Sequence, residues 1–309
     1  MKKIIYLASA LIAIVICFVV AIAYFRLNAQ GTPPGLMIVP SNLELVANPG
    51  DVITKTISLY NNDKTTVDIV PEVRNFTAQG EEGEVTLTSA DTGYSLTSWV
   101  TVTPAKQTIQ PGKSAPFIFT MRVPKNAESG GHFGSVVLST VPPPQGTLKN
   151  TGAYVVQQVG SLVLVTIPGE LNEFAKVLTF TADKNFYYQG PVNFMVRVKN
   201  NSNVHIRPIG TVTVKDMLGN KTVVSVTSLN VLPGAVRRLS ATYSNRWLIG
   251  KYTADLALYY GSSNKNLNAS LTFWAFPVKE ALIVLAILII IFFFRKRFFK
   301  ALRIIIIGK

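Results

Sequence analysis

The chain of 309 residues has one cysteine, Cys17, and two histidines, His132 and His205. A single thiol excludes an internal disulfide, so each domain must be held by its apolar core. Neither histidine has a cysteine or carboxylate at ligand or dyad spacing, which argues against a metal site and against histidine-based acid–base chemistry. No phosphate-binding loop, Gly-x-Ser-x-Gly elbow or dinucleotide fingerprint is present. The sequence therefore predicts no catalytic residue, no metal and no cofactor, in a protein that is not an enzyme. Between residues 30 and 270 there is also no long amphipathic helical pattern, which leaves strands as the building material.

Acidic residues are scarce, 16 against 30 Lys and Arg, for a formal net charge of +14. That balance is not a nucleic-acid signature, because nine of the basic residues flank two hydrophobic runs. One run extends from Ile4 to Phe25 behind Lys2 and Lys3; the other, Ala281 to Phe294, precedes Arg295-Lys296-Arg297. By the positive-inside bias both basic flanks face the cytoplasm and the middle of the chain lies outside it. Residues 1–29 read as a cleaved signal peptide or an uncleaved anchor; about 20 apolar residues span a bilayer, whereas an export signal uses fewer. Cys17 reads as a thiol inside that apolar run.

The second run, 277–294, reads as a transmembrane helix with a cytoplasmic basic tail at 295–309. Its 14 uncharged residues from Ala281 to Phe294 are short for the task, so the aromatic stretch Leu271–Pro277 is expected to lengthen it. Trp274, Lys279, Arg295, Lys296 and Arg297 are then its interfacial anchors. The expected location is the cell membrane, single-pass with an extracellular ectodomain, or two-pass if the first helix is retained. No Leu-Pro-x-Thr-Gly pentapeptide occurs between 262 and 280, so covalent wall attachment is not expected.

Charge divides the ectodomain. Residues 31–170 carry 8 basic and 11 acidic side chains, net −3, and residues 171–280 carry 13 and 5, net +8. Strand-like runs of period two, such as Asp51–Tyr60, Pro116–Val123 and Phe194–Val198, recur between turn residues and predict antiparallel β-sandwiches. A weak repeat splits them in two. Ile57-Ser-Leu-Tyr-Asn-Asn62 recurs as Val196-Arg-Val-Lys-Asn-Asn201, and Gln110-Pro-Gly112 before Phe117–Thr120 recurs as Leu232-Pro-Gly234 before Leu239–Thr242. Asn pairs and Pro-Gly suit tight turns. The fold class is all-β: two tandem immunoglobulin-like or fibronectin-like sandwiches, at 31–168 and 171–275.

The series Leu36–Pro40, Ala47–Gly50, Asn61-Asn62, Pro111-Gly112, Val123-Pro124, Gly130–Gly134 and Ala153–Val156 resembles the N-terminal domain of the WxL-interacting family of bacterial cell-surface proteins. Arg197–Asn201, Leu232–Gly234 and Gly250–Ala254 resemble that family's second domain, in shortened form. The resemblance implies a non-enzymatic adhesion protein whose first domain contacts peptidoglycan or another cell-wall polymer and whose second captures a secreted WxL-type partner. A different class stands beside it, a chaperone-like assembly factor whose exposed sandwich edge receives a partner strand.

Two local features complete the reading. Gly130-Gly-His-Phe-Gly134 either admits close backbone approach or forms a bare surface from which His132 and Phe133 project. The stiff excursion that starts with Pro142, Pro143 and Pro144 and continues to Lys149 is the expected ligand loop above it. The acidic run Glu81-Glu82-Gly83-Glu84 reads as a solvated hairpin tip rather than a calcium loop.

Overall fold

The computed structural model describes residues 35–142 and 155–307, with 294–307 described by backbone alone. The first hydrophobic run with Cys17, and Pro143, Pro144 and Lys149 of the expected loop, lie outside the described residues.

The first domain contains β1 (Leu36–Val39), β2 (Asn42–Val46), β3 (Val52–Asn61), β4 (Val67–Gln79), β5 (Glu84–Thr88), β6 (Val100–Thr103), β7 (Gln107–Ile109), β8 (Ser114–Arg122), β9 (Gly130–Thr140) and β10 (Gln158–Ile167). One sheet runs β1-β3-β8-β6; the other runs β2-β10-β9-β4-β5, with β7 also on β4. The start of the domain serves both sheets: β1 pairs antiparallel with β3, and past Pro40-Ser41 β2 pairs parallel with β10. Period-two patterning does the folding. On β8, Ala115, Phe117, Phe119 and Met121 point inward beside Ile57 and Leu59 of the neighbouring β3, and share the sandwich core with Val136, Leu138, Val163 and Val165 of the other sheet.

The second domain contains β11 (Ala175–Ala182), β12 (Phe186–Tyr187), β13 (Val192–Asn200), β14 (Ile209–Lys215), β15 (Lys221–Ser225), β16 (Val236–Tyr243), β17 (Gly250–Tyr260) and β18 (Lys265–Ala275). Its sheets are β11-β13-β16 and β12-β18-β17-β14-β15. Tyr187, Phe194, Tyr252 and Phe273 form an aromatic centre, with Tyr252 stacked on Phe273 at 5.1 Å between ring centroids.

The sequence repeat has one structural cause in both domains. Asn61 and Asn200 are fully buried. Asn61 Nδ2 donates to the carbonyls of Thr65 (2.8 Å) and Ile109 (3.0 Å) while its Oδ1 accepts from the Asp63 amide. Asn200 Nδ2 donates to the carbonyls of Val204 (2.9 Å) and Val231 (2.8 Å), and its Oδ1 accepts from the Ser202 amide. Each backbone then closes on the Pro-Gly turn, Gly112 N to Asn61 O and Gly234 N to Asn200 O. One side chain thus ties a strand end, its turn and the entry to a later strand.

Helix α1 (Val278–Ile307) follows β18 directly. The expected lengthening of the hydrophobic run fails here, because Lys265–Ala275 is strand, with Phe273 1% exposed in the core and Trp274 on the surface. Lys279, Glu280 and Arg295 then leave 14 uncharged residues between them, which at about 1.5 Å each reach ~21 Å of a ~30 Å hydrocarbon core. Among the described residues no helix is long and apolar enough to cross a membrane. The expected transmembrane helix, the single-pass location and the membrane as partner are corrected accordingly.

Candidate functional site

A cleft of about 670 Å³ lies where the two domains meet. Its floor is the outer face of the second sheet of domain 1, supplied by Phe76, Val85, Leu87, Leu162 and Leu164; Leu232, Asn230, Arg207 and Arg237 of domain 2 form the opposite wall. Two straps cross between the domains. In one, Glu44 on β2 takes a hydrogen bond from Asn230 Nδ2 (2.6 Å) and lies 3.5 Å from Arg207 Nη1. In the other, the β4–β5 hairpin tip reaches domain 2, where Glu81 accepts from Arg197 Nε (2.7 Å) and Nη2 (2.5 Å) and Glu82 pairs with Arg238. The acidic run expected to be a solvated turn is therefore docked against the basic domain. Part of the charge asymmetry seen in the sequence is complementarity within the chain.

The floor ends at an open strand edge. β10 pairs with β9 from Gln158 to Ile167, but β2 reaches it only from Leu162 to Thr166. Among the described residues no strand covers the outer side of Gln158–Ser161. Parity fixes what that edge offers. The Leu162 amide bonds outward to Ser41 O, so the amides and carbonyls of Gln158 and Gly160, two and four residues earlier, also point outward. Gln158 and Gly160, with Leu162 and Leu164 at the following even positions, line the cleft, whereas Val163 and Val165 face the core. Val155 and Val156, just before, are exposed. Unpaired main-chain groups and an apolar trough thus lie side by side.

The sequence-derived site residues fall elsewhere. His132 and Phe133 do not project: they sit on β9, which is buried along almost its whole length. His132 lies against Trp99 at 4.4 Å between centroids, and its Nε2 is 3.0 Å from Glu128 O. Phe133 packs against Phe76, Tyr94 and, across the domain boundary, His205 at 5.7 Å. The preceding glycines permit that closeness. A Cβ on Gly131 would stand 2.5 Å from the Phe133 ring and 3.2 Å from Val204 Cα, and the Gly131 amide donates to Asn203 O at 2.8 Å. Pro142 is exposed just past the end of β9 and lines a separate pocket with Asp63 and Lys106. Among the described residues no cluster of His, Cys, Asp or Glu is placed to hold a metal ion. Sequence reasoning missed Glu44, Arg207, Arg237 and the β10 edge, because their significance comes only from apposition.

His205, packed against Phe133 at the domain boundary, gives the fold a pH dependence. Its Nδ1 is buried without a partner, and burial pushes its pKa below the ordinary value, with Glu44 opposing. The folded state therefore binds fewer protons than the unfolded one, whose histidine titrates near about 6.5. The stabilisation is complete above that pH and is lost as pH falls through the lower folded value. The thermal midpoint is expected to drop on acidification below about pH 6.5, and His205→Gln should flatten that part of the profile in a scan of midpoint against pH.

No family model matches the sequence, and no curated protein matches it. Among solved structures, the chain is similar to a chain of the chaperone–tip adhesin complex of CFA/I fimbriae biogenesis (16% identity over 77% of this chain and 98% of that one, TM-score 0.40). It is similar also to the class 5 fimbriae chaperone CfaA (16%, 77% and 99%, TM-score 0.38) and to the CsuC–CsuE chaperone–tip adhesion subunit complex of Acinetobacter baumannii (12%, 78% and 99%, TM-score 0.36). The WxL-interacting resemblance, and with it the expected cell-wall polymer and WxL-type partner, is corrected accordingly: the solved structures that the chain is similar to are described as fimbrial chaperones and their complexes.

Proposed function

We propose that the chain is a non-enzymatic assembly factor that binds a partner polypeptide by strand addition along β10. The observation that supports this most is the coincidence of the outward main-chain groups of Gln158 and Gly160 with the apolar cleft that both residues line. An added strand would take hydrogen bonds from that edge, and its alternate side chains would enter the trough over Leu162 and Leu164; main-chain pairing gives affinity and the pockets give selection. The support is this geometry, since the solved structures named above are too distant to carry it. An edge left open is otherwise an aggregation hazard, which a protein keeps only where something covers it.

The test uses the full chain in its own host with a photo-crosslinking amino acid at Gln158 or, as control, at exposed Thr54 on the opposite sheet. Capture of a discrete secreted polypeptide is expected from Gln158 alone. Gly160→Pro should weaken it roughly tenfold, since it removes one outward amide worth about 1–1.5 kcal/mol and leaves the β9 ladder, borne by the odd-numbered residues, intact. Equal capture at both positions, or indifference to Gly160→Pro in a folded protein, would refute the reading.

A further inference from the structure

The two arginines under the hairpin tip are oddly placed for a free surface. Arg197 on β13 and Arg238 on β16 are direct cross-strand partners, and like charges directly opposite in an antiparallel pair are destabilising. Arg237 precedes Arg238 on the same strand; its Nε is buried without an acceptor, and burial works against its charge. Domain 2 alone would carry this repulsion uncompensated. The tip of the other domain relieves it: Glu81 forks onto Arg197, Glu82 pairs with Arg238, and the Arg238 amide donates to Glu81 O at 2.9 Å. Gly83 completes the fit. Its φ is +90°, and a Cβ there would fall 1.5 Å from Arg237 Nη1, so the guanidinium packs on bare backbone.

We propose that Glu81-Glu82-Gly83 is an electrostatic latch that seats on the Arg197–Arg238 pair, fixes the angle between the two domains and so sets the width of the cleft. Three features separate it from an incidental surface ion pair, which contributes about 0–1 kcal/mol. The Arg197 contact is bidentate, which adds direction as well as energy. A backbone hydrogen bond registers the tip on β16. The arginine pair is unfavourable unless the latch is closed. Arg197 also holds the Glu81 carboxyl below the usual carboxylate range, with Arg238 adding to the effect. The closed state is therefore favoured above the ordinary glutamate pKa, and the latch releases as pH falls through the lower folded value.

The proposal does not depend on strand addition, because the domain angle can be read with no partner present. Spin labels at Thr101→Cys in domain 1 and Asn266→Cys in domain 2, in a Cys17→Ser background of the full chain, report the interdomain distance by pulsed EPR. A single narrow distribution is expected for the parent. Glu81→Arg and Arg197→Glu should each broaden and shift it, and the double variant Glu81→Arg/Arg197→Glu should restore the parent distribution. Restoration also rules out misfolding as the cause of the single-variant effects. Unchanged distributions in both single variants, or a double variant as broad as the worse single one, would overturn the latch.

Discussion

Asn200→Ala is expected to lower the stability of domain 2 by about 3–5 kcal/mol, and Asn61→Ala to cost less in domain 1, about 1–3 kcal/mol. Each substitution orphans three main-chain groups at once, all of them buried around Asn200. For Asn200 these are the carbonyls of Val204 and Val231 and the amide of Ser202; for Asn61 they are the carbonyls of Thr65 and Ile109 and the amide of Asp63. A buried polar group left unsatisfied costs about 1–3 kcal/mol, and around Asn200 all three groups are buried, so water does not take the vacated positions; at Asn61, exposed Thr65 and half-buried Asp63 regain water and only the Ile109 carbonyl stays orphaned. Asn200→Asp separates hydrogen bonding from volume: it keeps the size but turns an oxygen toward two carbonyls, and should be at least as damaging as alanine. Asn201→Ala, one residue on and exposed, should stay within about 0.5 kcal/mol. Urea unfolding followed by intrinsic fluorescence reads all four.

These asparagines also show what was legible in the sequence. The paired-Asn and Pro-Gly turns recur in the same order, and from them two sandwiches could be counted. The recurrence could be seen because the interaction is local, the Asn reaching its own turn and the next one. The latch could not be seen for the opposite reason. Glu81 and Arg197 are 116 residues apart, and nothing in an acidic hairpin or a basic strand says that each is the other's counter-charge. The charge imbalance between the halves is visible in the sequence, but not that part of it is spent inside the chain.

The glycine segment misled through burial. A strand of period two has one face in the core and is expected to show the other to solvent. β9 breaks that expectation at its start, where Asn203, Val204 and His205 of domain 2 meet Gly130, Gly131 and Phe133, while His132 packs on Trp99 within domain 1. The glycines there serve the domain contact rather than a bare ligand surface. The open edge of β10 was invisible because it depends on where β2 starts, which is set by the crossing at Pro40-Ser41.

The residues before α1 offer the sharpest separation between the expected and observed structures. Leu271–Pro277 has the composition of an interfacial aromatic belt, and a buried strand end looks the same in one dimension. The two readings assign opposite weights to neighbouring aromatics. In the fold, Phe273 is 1% exposed and touches Tyr187, Phe194 and Tyr252, while Trp274 is 55% exposed on the opposite face. Phe273→Ala is therefore expected to cost about 3–5 kcal/mol, the usual loss for truncating a core aromatic and leaving a cavity. Part of that loss is specific to the ring contacts, which contribute about 0.5–1.5 kcal/mol beyond burial. Trp274→Ala should change stability by no more than about 0.5 kcal/mol. An interfacial belt would reverse the order, since there the tryptophan is the anchor. Denaturation midpoints of the two variants decide it: similar losses, or a larger loss at Trp274, would mean that β18 does not end as a core strand of domain 2.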